Sequence, residues 1–122
     1  MKTIRSVSTV AVVVMVVAIG WAFTAGDFAE EGSVILGLPW GVVSIIDIYV
    51  GAILILGWIR WRDGTAAAVV WFVVLFVLGH LGSALYIAWR AWTSPDVPTL
   101  LLGPRRTLAA TVNPLSGGRQ GA

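Results

Sequence analysis

Two ionisable side chains, Asp47 and His80, stand inside long apolar runs whose other members avoid charge. An acid and an imidazole brought together at such a place can relay a proton, hold a cation or hook a polar head group. Ser83 shares the His80 face at three residues' spacing, and Tyr49 lies two residues from Asp47 but about 200° round a helix. Asp47, His80, Ser83 and Tyr49 are therefore the candidate intramembrane polar cluster. The same residues have a plainer use, as an interhelical hydrogen bond worth about 0.6–2 kcal/mol that fixes helix packing. With one acid, one histidine and no further charge at that depth, packing carries more weight than chemistry.

No other constellation points to a reaction. The chain has no HExxH, no pair of neighbouring carboxylates suited to acid–base work, no phosphate-cradling glycine loop and no nucleophile elbow. It has no cysteine, which excludes disulfides, thiolate zinc sites and thiol catalysis. A lone histidine cannot complete a metal or haem site by itself. No catalytic residue, metal or cofactor is assigned, and the residues point away from an enzyme.

The elements that must position Asp47 and His80 are membrane helices. Of 122 residues, 58% are hydrophobic and 11% charged, with mean hydropathy +0.92. Soluble domains average about 25% charged residues, so water cannot solvate this chain over most of its surface. Three apolar runs, about 6–24, 40–60 and 66–90, each match a hydrocarbon core about 30 Å thick. The expected fold is all-α, an integral membrane three-helix bundle over 1–92, followed by a disordered, Pro/Gly-rich tail over 93–122. The first run resembles a secretory signal, but it exceeds the usual h-region and sets Trp21 beside the cleavage position, so it reads as a retained helix. Between the first two spans, Val34–Leu38 is too short to cross and is expected to lie along the surface.

Asp63-Gly64-Thr65 reads as a tight turn that makes the second and third spans antiparallel. Asp47 lies seven residues after Trp40 and His80 nine before Trp89, or about 10 Å and 13 Å below one interface. The two then share a depth. Trp21, Trp40, Trp89 and Trp92 are expected to anchor that interface, and Trp58 and Trp61 the other. Lys2, Arg5, Arg60 and Arg62 favour an inside N-terminus and an outside C-terminus in a bacterial cytoplasmic membrane. Net charge is +2 and the basic residues are scattered, which argues against nucleic acid.

Pro39-Trp40, Asp47-Ile48-Tyr49, Trp58, the Arg60-Trp61-Arg62 turn, Leu78-Gly79 and Ala84-Leu85-Tyr86 together resemble a family of small bacterial membrane proteins of unknown function. The resemblance covers Pro39 to Trp89 and implies three spans with an acid–x–Tyr in the second, and no activity. The chain lacks the Pro-x-Glu motif of heterodimeric carotenoid cyclases and the first-helix glutamate of small multidrug exporters. The expected function is that of an accessory or interaction subunit, bound to a membrane protein partner or to its own copies. Ala18 and Ala22, or Gly79, Gly82 and Ser83, would be the small-residue helix-packing surfaces. The alternative is an oligomeric proton-coupled transporter or lipid-modifying enzyme centred on Asp47 and His80.

Overall fold

The computed structural model describes residues 1–104 and 108, and among them every regular element is a helix. Helix α1 spans Lys2–Ala25 and α3 spans Pro39–Asp63, 24 and 25 residues respectively. At 1.5 Å per residue both exceed about 30 Å. These two helices are long and apolar enough to cross a membrane.

Between them, α2 covers Phe28–Gly37. Asp27 caps it, accepting from the backbone N–H groups of Ala29 and Glu30 at 2.9 and 3.1 Å. Glu30 and Glu31 in the first turn suit the positive end of the helix dipole. Pro39 ends the element and opens α3, where its missing N–H costs no hydrogen bond. The turn is tight enough that a Cβ on Gly41 would collide with the Ile35 carbonyl.

The third apolar run departs from the sequence expectation. Residues 66–90 do not form one span: α4 covers Thr65–Leu78 and α5 covers His80–Thr93. Gly79 separates them with φ 54° and ψ −132°, a conformation that side chains with a Cβ rarely adopt. The chain reverses there. The Trp71 and Tyr86 rings, fifteen residues apart, lie 5.0 Å apart, whereas a straight helix would separate them by about 22 Å. Close approach of the two legs needs Gly82, whose Cβ would press on the Val74 carbonyl and Leu75 Cα at 3.2 and 3.3 Å. Each 14-residue leg reaches only about 21 Å, so neither crosses a bilayer alone.

The hairpin packs on α1 mainly through α5 and on α3 mainly through α4. Its tip meets α3 near the middle of that helix, with Gly79 against Ile48 and the His80 ring against Gly51. Ala52, Ile59, Ala68, Leu75 and Tyr86 form the buried core, flanked by Trp58 and Trp71.

This reversal corrects two expectations, and α6 corrects a third. The end of α5 returns to the beginning of α1, so the described chain closes at its N-terminal end and not at the opposite one. Trp89 and Trp92 accordingly lie with Trp58 and Trp61, away from Trp21 and Trp40; Trp92 donates its indole N–H to the Thr9 hydroxyl at 3.2 Å. The region expected to be tail begins with structure: Val97–Leu102 form α6, capped by Asp96. Of the residues after Leu102, all but 103, 104 and 108 lie outside the described residues.

Candidate functional site

The fold-back leaves two polar places. The first holds the pair singled out by sequence. Asp47 and Gly51 are one turn apart on α3, and the His80 ring lies over Gly51, with Cε1 3.1 Å from where a Cβ would stand. Asp47 and His80 are thus brought to one flank of α3 and the hairpin tip. Both are exposed, and among the described residues neither makes a side-chain hydrogen bond or ion pair.

Ser83 does not join them. It is buried in α5, and its Oγ has no hydrogen-bond partner. Tyr49 faces elsewhere, its ring 5.6 Å from that of Phe76. There it lines an apolar cleft of about 640 Å³ between α2, α3 and the hairpin tip, with Phe28, Leu36 and Ile45. Gly82 and Ser83 are spent on packing within the chain, which leaves Ala18 and Ala22 of the small-residue surfaces exposed. No group of three or more His, Cys, Asp or Glu side chains that could hold a metal occurs among the described residues.

The second place is a charged knot at the end of the bundle where α1 begins and α3 ends. Asp63, the last residue of α3, is its centre. Asp63 Oδ1 accepts from Arg62 Nη1 at 2.6 Å. Asp63 Oδ2 accepts the Tyr86 hydroxyl at 2.5 Å and meets Arg90 Nη2 at 2.7 Å. Arg62 and Asp63 are neighbours in sequence, so their pairing holds little together. Arg90 and Tyr86 come from α5, and their bonds close the hairpin onto α3.

The arginines also satisfy helix ends, where the last carbonyls lack intrahelical donors. Arg62, with a side chain 1% exposed, gives Nε to the Leu100 carbonyl at 2.5 Å and Nη2 to the Thr99 carbonyl at 3.1 Å. Trp58 donates to the Leu101 carbonyl at 3.2 Å. Together they fasten the C-terminal end of α6. Arg5 does the same for α5, donating to the Ala91 and Ser94 carbonyls at 2.8 and 3.1 Å while its guanidinium lies over the Trp92 ring. A cation at a helix C-terminus is also favoured by the dipole.

Arg90 is held differently. Its guanidinium stacks 4.0 Å from the Trp89 ring centroid, and its Nε is buried without a hydrogen-bond partner. Asp96, outside the long helices, has its carboxyl held below the usual carboxylate range by bonds from the Thr99 side chain and backbone.

The knot was not anticipated from sequence, because Arg62, Asp63 and Arg90 read there as span-end charges. The available signal was Gly79, with Gly82 three residues on, inside an otherwise apolar run. Read as a break, it brings Arg90 level with Asp63.

No family model, curated protein or solved structure matches the chain. The class defined by fold and site is an all-helical protein with two long apolar helices and a helical hairpin locked between them.

Proposed function

We propose that the chain is a small multi-pass membrane protein acting as an interaction subunit, bound to a larger membrane protein or to further copies of itself. The contact surface is the flank of α3 and the hairpin tip that carries Asp47 and His80. One observation carries this reading: two ionisable side chains near the midpoint of α3 are exposed and, among the described residues, unbonded. A charge left facing hydrocarbon costs about 2.5–3.5 kcal/mol on insertion scales, so a partner that bonds these groups is favoured. Two long helices and a hairpin of half-length legs, among the described residues, favour an interaction role over a path within one copy.

The orientation follows from charge. Lys2, Arg5, Arg60, Arg62 and Arg90 all belong to the end holding the knot, and Asp27, Glu30 and Glu31 to the other. We infer that the basic end faces the cytoplasm of a bacterial cell. Trp58, Trp61, Trp89 and Trp92 then form the inner aromatic belt, and Trp21 and Trp40 the outer one. The N-terminus remains inside, and the chain leaving α6 is inside with it.

The rival reading, an oligomeric proton-coupled transporter or lipid-modifying enzyme on the same pair, is separated by substitution. The chain has no cysteine, so Ser44→Cys, one turn from Asp47, supplies a unique cross-linking site in native membranes. An interaction role predicts a specific adduct, to a second copy or a partner, that survives Asp47→Asn and is lost in Asp47→Leu. An unchanged adduct in Asp47→Leu contradicts it.

A further inference from the structure

The knot opens on one side into a cleft of about 350 Å³, lined by Arg62, Arg90, Thr93, Ser94 and Thr99. Three guanidinium groups, Arg5, Arg62 and Arg90, are gathered around it and two carboxylates, Asp63 and Asp96, answer them. The cleft is therefore left with positive charge.

The donors of the two lining arginines are unequally spent. Arg62 is committed at each nitrogen, to Leu100, Asp63, and Thr99 with Ser94. Arg90 gives Nη2 to Asp63, and its Nε has no hydrogen-bond partner. A guanidinium carries five N–H donors; with Nε buried and Nη2 on Asp63, the Nη1 pair is what Arg90 has left for the cleft. The Thr93 hydroxyl is turned to the helix carbonyls of Trp89 and Arg90 and offers no hydrogen. Ser94 Oγ accepts weakly from Arg62 at 3.5 Å and keeps its own hydrogen.

We propose that this cleft binds the phosphate group of an anionic ligand, with Arg90 as its principal donor, Ser94 as a second and Arg62 as a nearby fixed charge. A guanidinium fork matches phosphate oxygens in geometry as well as charge. Basic pockets between membrane helices on the cytoplasmic side suit phospholipid head groups. The lipid form of the ligand rests on the membrane placement proposed above, since Trp58 and Trp89 then set the cleft at head-group level. A soluble phosphate would offer the same chemistry.

The test uses the full chain in zwitterionic detergent and in nanodiscs of phosphatidylcholine with or without phosphatidylglycerol, read by thermal unfolding midpoint and native mass spectrometry. The probes are phosphatidylglycerol and inorganic phosphate. At least one raises the midpoint of the wild-type chain, and its apparent affinity falls about tenfold in Arg90→Gln. Arg60→Gln removes an equal charge outside the cleft and changes it less than about twofold. Because Arg90 also holds Asp63, Ser94→Ala serves as the milder variant, with weakened binding and a smaller loss of midpoint without anion than Arg90→Gln. A response to phosphatidylglycerol alone assigns the lipid; a response to inorganic phosphate assigns a soluble anion. No response to either probe, or equal losses in Arg60→Gln and Arg90→Gln, overturns the site. That failure would leave the Ser44→Cys cross-linking result standing, so the two proposals fail separately.

Discussion

Asp63→Asn, Arg90→Gln and the double variant measure how firmly the hairpin is locked to α3. The Asp63 side chain is 10% exposed and accepts from three donors, two of which, Arg90 and Tyr86, come from α5. Removing one partner of a buried ion pair costs about 3–5 kcal/mol when water is excluded. The Arg90 side chain is 20% exposed, so partial solvation lowers the expectation for Asp63→Asn to about 2–4 kcal/mol. Arg90→Gln leaves Asp63 bonded to Arg62 and Tyr86 and should cost less, about 1–2 kcal/mol. In the double variant the uncompensated Arg90 charge is gone, so the two losses should fall short of their sum by at least about 1 kcal/mol. The assay is reversible unfolding in mixed micelles titrated with dodecyl sulfate, followed by tryptophan fluorescence. Additivity within about 0.3 kcal/mol would refute the tertiary bond between Asp63 and Arg90.

Two further outcomes follow from backbone and charge. At Gly79 a Cβ would meet only Ile48 Cγ2 at 3.7 Å, an ordinary contact, so the cost of Gly79→Ala is backbone strain of about 1–3 kcal/mol. Alanine also gains about 1 kcal/mol over glycine in a continuous helix, and the same micelle titration should show the hairpin destabilised. Asp96 has its folded pKa depressed by Thr99, so its stabilising effect on α6 is complete above about pH 4, the ordinary carboxyl value, and fades as pH falls through the folded value. Protection factors of the amides in Val97–Leu102, corrected for intrinsic exchange, should therefore fall on acidification below about pH 4, and Asp96→Asn should remove that dependence.

Helices α1 and α3 were legible because hydrophobic length is a local property, and Pro39 and the Asp63-Gly64 turn mark the limits of α3 in the chain itself. The third run has the same length and hydropathy, yet it folds back. Length alone cannot separate one span from two half-length legs, since the choice rests on a single glycine torsion and on bonds to a distant residue, Asp63. The depth argument for Asp47 and His80 assumed a straight third helix. The pair nevertheless lies on one flank, because a hairpin tip at Gly79 also stops near the middle of α3. Tyr49, grouped with them by depth, stays on the other face that helix rotation gives it, and Ser83, grouped by its three-residue spacing from His80, is buried in α5. The role of Arg62 at α6 was hidden by the proline-rich composition after Trp92, which masks a short helix fastened by side chains from α3.

The fold-back is tested most directly by asking from which side of the membrane three single cysteines react. Thr3→Cys, Ser33→Cys and Val97→Cys, made separately in the cysteine-free chain, are exposed to an impermeant maleimide in intact cells and in inverted vesicles. A re-entrant hairpin predicts that Val97→Cys reacts from the same side as Thr3→Cys and opposite to Ser33→Cys. Reaction of Val97→Cys from the side of Ser33→Cys would mean that residues 66–90 cross the bilayer, and would contradict the account.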